Sequence, residues 1–109
     1  MNRLPSPDEL FERLRLAGVD WADKEAAASL LEETKKTLLA SIMRDSLSEG
    51  VGKAETIALS SSKYQEHLVL MVEARREATK ARVIYDSGRV FADQCRTWAA
   101  TERAEMGIR

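Results

Sequence analysis

The stretch that decides the fold runs from Ile57 to Met106 and reads IALSSSKYQEHLVLMVEARREATKARVIYDSGRVFADQCRTWAATERAEM. It contains no proline, and every seventh residue counted from its start is apolar or aromatic. The members of this series are Ile57, Tyr64, Met71, Ala78, Tyr85, Ala92, Ala99 and Met106. The residues three places later are mostly small, for example Ala74, Ala81 and Gly88. This repeat predicts a long helix whose apolar stripe packs closely against a neighbouring helix.

The residues before this stretch predict the neighbouring helix. Ser6-Pro7-Asp8-Glu9 has the composition of a helix start, with a capping hydroxyl, a proline in the first turn and two acids. Glycine often ends a helix, so Gly18 predicts the end of a short N-terminal helix within residues 1–18. Asp20 then caps a second helix over residues 20–48.

Glu49-Gly50-Val51-Gly52 predicts the turn into the long segment over residues 53–106. Asp86-Ser87-Gly88 is also an acceptable turn sequence. The long segment is therefore either one helix, continuous or kinked at Gly88, or two helices that fold back on each other. The unbroken heptad favours the first alternative. We predict an all-α fold: a helical hairpin with one long heptad-patterned helix, in a single helical domain over residues 1–109.

The unequal lengths of the two long helices predict an oligomer. At about 1.5 Å per residue, a helix over residues 20–48 is roughly 44 Å long, whereas one over residues 57–106 is roughly 75 Å long. In a hairpin, the shorter helix leaves part of the stripe uncovered near Tyr85, Phe91 and Trp98. Because a large exposed apolar surface needs a partner, we expect these three residues to form the interface of a homo-oligomer.

Charged residues are unevenly distributed along the chain. The sequence has 17 Lys and Arg against 18 Asp and Glu, a formal charge of −1 that on its own argues against a nucleic-acid-binding protein. Residues 1–74 carry nine basic and 13 acidic side chains, a net charge of −4. Residues 75–109 carry eight basic and five acidic side chains, a net charge of +3. The near-neutral total therefore combines an acidic part with a basic part, and the basic part is a candidate phosphate-binding region.

Arginines recur every seven residues beside the apolar stripe. This arginine ladder consists of Arg75, Arg82, Arg89, Arg96 and Arg103. Its members lie about 10 Å apart on a helix, and Arg76 and Lys80 adjoin its beginning. Guanidinium groups bind phosphate or carboxylate in bidentate fashion. Two interpretations stay open, because the arginines either bind nucleic-acid phosphates or pair with acids that flank the apolar stripe.

One stretch resembles a known protein family. Residues 80–89, KARVIYDSGR, are similar to the signature of the UvsY-type recombination mediators of tailed bacteriophages, K-A-R, two residues, Y, one residue, S-G-R. The resemblance implies a small helical oligomer that binds single-stranded DNA and helps load a recombinase in place of single-strand-binding protein. The DNA-contacting residues of the motif correspond to Lys80 and Arg82. Family members continue well beyond the motif with a segment used in assembly, whereas 20 residues follow Arg89 in this sequence. We therefore expect Phe91 and Trp98 to form the assembly surface in place of that segment.

Other chemistry-bearing residues fit structural roles. His67 and Cys95 are the only histidine and cysteine, and both fall on the apolar stripe, so we expect packed side chains rather than a metal ligand or a nucleophile. Neither a glycine-rich phosphate loop nor a nucleophile elbow is present. We expect no enzyme, no cofactor and no metal. Since no apolar run approaches the roughly 18 residues of a membrane span, we expect a cytoplasmic protein without a membrane partner, in the host cytoplasm if it is phage-encoded.

Two functional hypotheses follow. The first is a non-enzymatic single-stranded DNA-binding accessory protein of phage recombination, a homo-oligomer with a recombinase or single-strand-binding protein as a further partner. Its predicted nucleic-acid-binding residues are Lys80, Arg82, Arg89, Arg75, Arg76 and Arg96. The second is a helical interaction or assembly protein, of phage structural or inhibitor type, that docks a partner helix and binds no nucleic acid.

Overall fold

The computed structural model describes residues 3–108 and shows an all-α helical hairpin. Helix α1 spans Pro7–Asp45 and is followed by a 3-10 turn at Leu47–Glu49. A short helix α2, Val51–Ser60, leads into the long helix α3, Ser62–Ile108. Helix α3 runs antiparallel to α1 and packs along it, while α2 covers the connected end of the pair. The molecule measures 86 × 21 × 17 Å.

The predicted helix start and the predicted turn are both confirmed. The hydroxyl of Ser6 accepts a hydrogen bond from the backbone N–H of Glu9 at 3.1 Å, and Pro7 opens the helix where no N–H is needed. Gly50 separates the 3-10 turn from α2 and has φ 97°, a backbone conformation that favours glycine. Helix α2 begins directly after it, so Gly52 belongs to the helix and not to the turn.

The predicted helix end at Gly18 is wrong, because α1 continues through this residue and through Asp20. Gly18 faces α3 instead, and a Cβ atom there would lie 3.3 Å from Cε1 of Tyr85. Gly88 of α3 faces α1 in the same way, and a Cβ atom there would lie 3.2 Å from Cδ2 of Leu14. The two glycines are therefore places of close helix–helix approach, and α3 is continuous through Gly88.

A break that the sequence analysis did not predict occurs at Ser61. This residue is extended, with φ −68° and ψ 147°, and its hydroxyl accepts a hydrogen bond from the backbone N–H of Tyr64. It thus ends α2 and caps α3. The segment over residues 53–106 was expected as one helix or as two helices that separate at Gly88. It is divided at Ser61 instead, and the heptad stripe begins only at Tyr64.

Small residues form the contact between α1 and α3, as the heptad stripe predicted. The buried residues of the described chain are Ala28, Ala54, Ala58, Tyr64, Ala78, Ala81, Ala92 and Cys95. On α3 they occupy the two predicted stripe positions, and the stripe residues between them are half-buried as far as Ala99. We call this contact the seam. Because most of its side chains are alanine-sized, the helices approach closely but bury little apolar area per residue.

The seam is covered over a greater length than the sequence analysis predicted. Since α1 does not end at Gly18, it reaches the far part of α3, where Pro7 and Ala99 line the same groove. Tyr85 is consequently half-buried within the hairpin and stacks on Trp21 with ring centroids 5.5 Å apart. The expectation that Tyr85 lies on an uncovered part of the stripe is wrong.

Replacing Gly88 by leucine tests the close approach at the seam. We expect Gly88→Leu to destabilise the protein by about 1–3 kcal/mol, the range for overpacked cores, because the added side chain collides with Leu14. Gly107→Leu is the control, since a Cβ atom at Gly107 meets nothing within 4 Å. Urea unfolding followed by circular dichroism measures both, and equal stability of the two variants would contradict the close approach.

Candidate nucleic-acid interface

The arginine ladder follows one edge of the hairpin. Arg75, Arg82, Arg89 and Arg96 each come directly after a seam residue of α3, so their side chains emerge beside α1, whereas Arg103 follows the exposed Glu102 beyond the end of the seam. Because α3 is continuous, the ladder keeps one spacing of about 10 Å along its whole length. We call this side of the hairpin the arginine edge.

Arg75 is bound by two glutamates of α1. Its Nε and Nη2 donate to the two carboxylate oxygens of Glu32 at 2.9 and 2.8 Å, and its Nη1 donates to Glu25 at 2.7 Å. The hydrogen bond from Arg75 lowers the pKa of Glu32. The pKa of Glu25 is lowered first by its bond from Arg75 and then by one from Ser29. Arg75 therefore joins the two helices, as in the acid-pairing interpretation.

These partners lie on α1, whereas the acids expected to pair with the arginine ladder flank the apolar stripe. Glu25 and Glu32 are seven residues apart, which is also the spacing of the arginine ladder. This shared period is the sequence feature that could have identified them as partners of the ladder. In an antiparallel pair of helices, positions with the same period on the same edge face each other. Glu25 and Glu32 therefore bracket one arginine.

The remaining arginines of the ladder are exposed. Arg96 forms an ion pair with Asp93, one turn earlier on the same helix. Arg82 lies close enough to Glu25 to contribute to the lowering of its pKa. Arg82, Arg89 and Arg103 make no ion pair with any residue that the structure describes. These three guanidinium groups stand in one row on the arginine edge.

Arg76 and Lys80 do not join this row. Residues one or two positions apart on a helix point in different directions, so Arg76 lies about 100° around α3 from Arg75, and Lys80 about 160° from Arg82. Lys80 instead pairs with Glu77 at 3.6 Å. The structure thus separates the predicted site residues into a row on the arginine edge and two cations on other faces of α3.

The exposed aromatic residues lie partly on the arginine edge and partly on the opposite side of the hairpin. Phe91 lies with Ile84 and Arg13 in a groove on the side opposite to the arginine ladder. Trp98 falls at the same heptad position as Phe91 and is exposed. Phe11 is instead exposed on the arginine edge, where it shares an apolar groove of about 340 Å³ with Arg96. Phe11 was not predicted as a surface aromatic because its spacing from Leu10 and Leu14 fits a helix core.

His67 and Cys95 have structural roles, as expected. The Nε2 atom of His67 donates to the backbone carbonyl of Leu31 at 2.7 Å and so ties α3 to α1. Cys95 is a buried free thiol in the seam. Within residues 3–108, no group of three or more His, Cys, Asp or Glu side chains is placed to hold a metal ion. None of the helices there combines the length and apolar character of a membrane-crossing segment.

No protein-family model, no curated protein sequence and no solved structure matches the chain. The similarity of residues 80–89 to the UvsY-type mediators therefore stays a prediction.

Removing the Arg75 side-chain charge should make stability less dependent on acid pH. The lowered pKa values of Glu25 and Glu32 favour the folded state above the ordinary carboxylate value of 4.5, and this contribution is lost as pH falls through the lowered values. We expect Arg75→Gln to lower the melting temperature at neutral pH by a few degrees. The difference from the unmodified protein should shrink below pH 4.5.

Arg103→Gln is the matched control, since this arginine has the same heptad position but no ion pair with the described residues. Thermal unfolding between neutral and strongly acidic pH measures both variants. A difference between Arg75→Gln and the unmodified protein that stays constant over that range would show that Arg75 acts without its carboxylate partners.

Proposed function

We propose that this protein is a non-enzymatic single-stranded DNA-binding accessory protein that holds the phosphate backbone on its arginine edge. The observation that carries the proposal is the row of Arg82, Arg89 and Arg103, which are exposed at one heptad position and make no ion pairs with the described residues. Exposed guanidinium groups bind phosphate oxygens without reading the base sequence. Arg96 extends the row by exchanging its pairing with Asp93 for a phosphate.

Phe11 gives the proposed site a stacking surface. Single-strand-binding surfaces combine a basic track with aromatic rings on which bases stack, independent of sequence. Phe11 is 68% exposed and lines a groove with Arg96. A strand that follows the arginines can therefore place a base on this ring, which Phe91 and Trp98 cannot offer from the opposite side.

The resemblance to UvsY-type mediators supports the biological context of the proposal. It implies that the protein helps a recombinase replace single-strand-binding protein on DNA, in the cytoplasm of a phage-infected host. In this context Arg82 and Arg89 match family motif positions that lie on the arginine edge. Lys80 matches the motif as well, but it lies on another face of α3, so we assign it no contact with the same strand.

Salt-dependent binding of a labelled oligonucleotide tests the proposal. For single strands, the logarithm of the binding constant falls with the logarithm of salt concentration by about 0.7 for each phosphate contact. Arg82→Gln/Arg89→Gln should weaken binding and reduce this slope by roughly 1–2. Fluorescence anisotropy over a series of salt concentrations measures both quantities.

Lys53→Gln/Lys63→Gln is the control with the same change in charge. Both lysines are exposed near the connected end of the hairpin, away from the free part of the arginine ladder. We expect the binding constant of this variant to depend on salt concentration as steeply as that of the unmodified protein. Equal losses in the two double variants would mean that net charge, not the arginine edge, determines binding.

A second candidate function is that of a helical assembly protein that binds no nucleic acid. It is favoured by the large exposed apolar residues Val83, Ile84, Val90 and Phe91 on α3. In that case these residues dock a partner helix, and the arginines pair with its acids. The absence of oligonucleotide binding at low salt would reject DNA binding and favour this function.

A further inference from the structure

Four exposed apolar side chains surround one small residue of α3 on the side away from the arginine ladder. Val83 and Ile84 lie four and three residues before Ser87. Val90 and Phe91 lie three and four residues after it. On a helix, these are the positions that adjoin a central residue on one face. Their exposed fractions range from 39% for Phe91 to 63% for Ile84. We call this group the apolar patch.

The hairpin exposes enough surface for an interface of standard size. The chain exposes 8314 Å², against about 6,100 Å² expected for a compact monomer of its mass. Its radius of gyration is 24.0 Å, against about 13 Å for a compact domain of this length. The excess area of roughly 2,200 Å² by that scaling is larger than the ~800 Å² that each partner contributes to a standard interface.

We propose that a second copy of this chain covers the apolar patch, with the two α3 helices antiparallel and a two-fold axis at Ser87. The patch is symmetric about this residue, as an isologous contact requires. The axis pairs Val83 with the partner's Phe91 and Ile84 with the partner's Val90. Each Ser87 then enters the hole between four apolar side chains of the other copy, and its small size allows close approach.

The charges that flank the patch favour the antiparallel orientation. About the same axis, Arg76 faces the partner's Trp98, a cation–π arrangement, and Lys80 faces the partner's Gln94. In a parallel pair, Arg76, Glu77 and Lys80 would each face their own copies, and opposed like charges are unfavourable. The antiparallel pair places no like charges opposite each other at these positions.

Sedimentation equilibrium of the full chain at micromolar concentration, without DNA, tests the proposal independently of DNA binding. The unmodified protein should sediment as a dimer. Ile84→Glu should weaken dimerisation by about 100-fold or more, because the two-fold axis buries two unpaired carboxylates. Val72→Glu is the control, since Val72 is 64% exposed but lies outside the patch. Circular dichroism should show unchanged helix content in both variants.

A monomeric unmodified protein would overturn the proposal and leave the patch to a different partner. Equal weakening by Ile84→Glu and Val72→Glu would also overturn it, because the interface would not be the patch.

Disulfide cross-linking tests the position of the axis. On a two-fold axis a residue faces its own copy, so Ser87→Cys in a Cys95→Ala background should give a covalent dimer under mild oxidation. Thr79→Cys in the same background is the control, because Thr79 is exposed on another face of α3. Cross-linking of Thr79→Cys as fast as Ser87→Cys, or faster, would overturn the assigned axis.

Discussion

The structure depends on the close approach of α1 and α3 along a seam of small residues. Gly18 admits the ring of Tyr85, and Gly88 admits the side chain of Leu14, so each helix carries a cleft for a large residue of the other. Alanines and Cys95 fill most of the remaining contact. This packing keeps the two helices in register, and the register brings Arg75 between its two glutamates.

The same seam explains why so many large apolar residues lie outside the core. Alanine-sized residues bury little area, so close packing alone gives each helical turn only a small hydrophobic stabilisation. Valine, isoleucine and phenylalanine occupy outward positions of α3 instead, where the hairpin leaves them exposed. Their burial requires a further surface. In the proposed dimer, association would add hydrophobic stabilisation that the single hairpin lacks.

The sequence predicted the periodic features of this fold better than its breaks. The heptad from Tyr64 to Ala99 and the cap at Ser6 were predictable because each depends on residues close together in the chain. The roles of Gly18 and Gly88 were not, because glycine serves both as a helix end and as a place of close approach, and only the residue across the interface distinguishes them. The partners of Arg75 also depend on the register of the hairpin, which local sequence does not determine.

The proposed DNA site and the proposed dimer contact are compatible because they occupy different faces of one helix. The arginine ladder and Ser87 lie about 160° apart around α3, since their heptad positions differ by two residues. Joining two copies at Ser87 therefore leaves both ladders on the outside of the dimer, pointing away from each other and running in opposite directions. A dimer built in this way presents two separate phosphate-binding tracks. In the proposed dimer, a single strand long enough to fold back and reach both tracks would bind more tightly than it binds to either track alone.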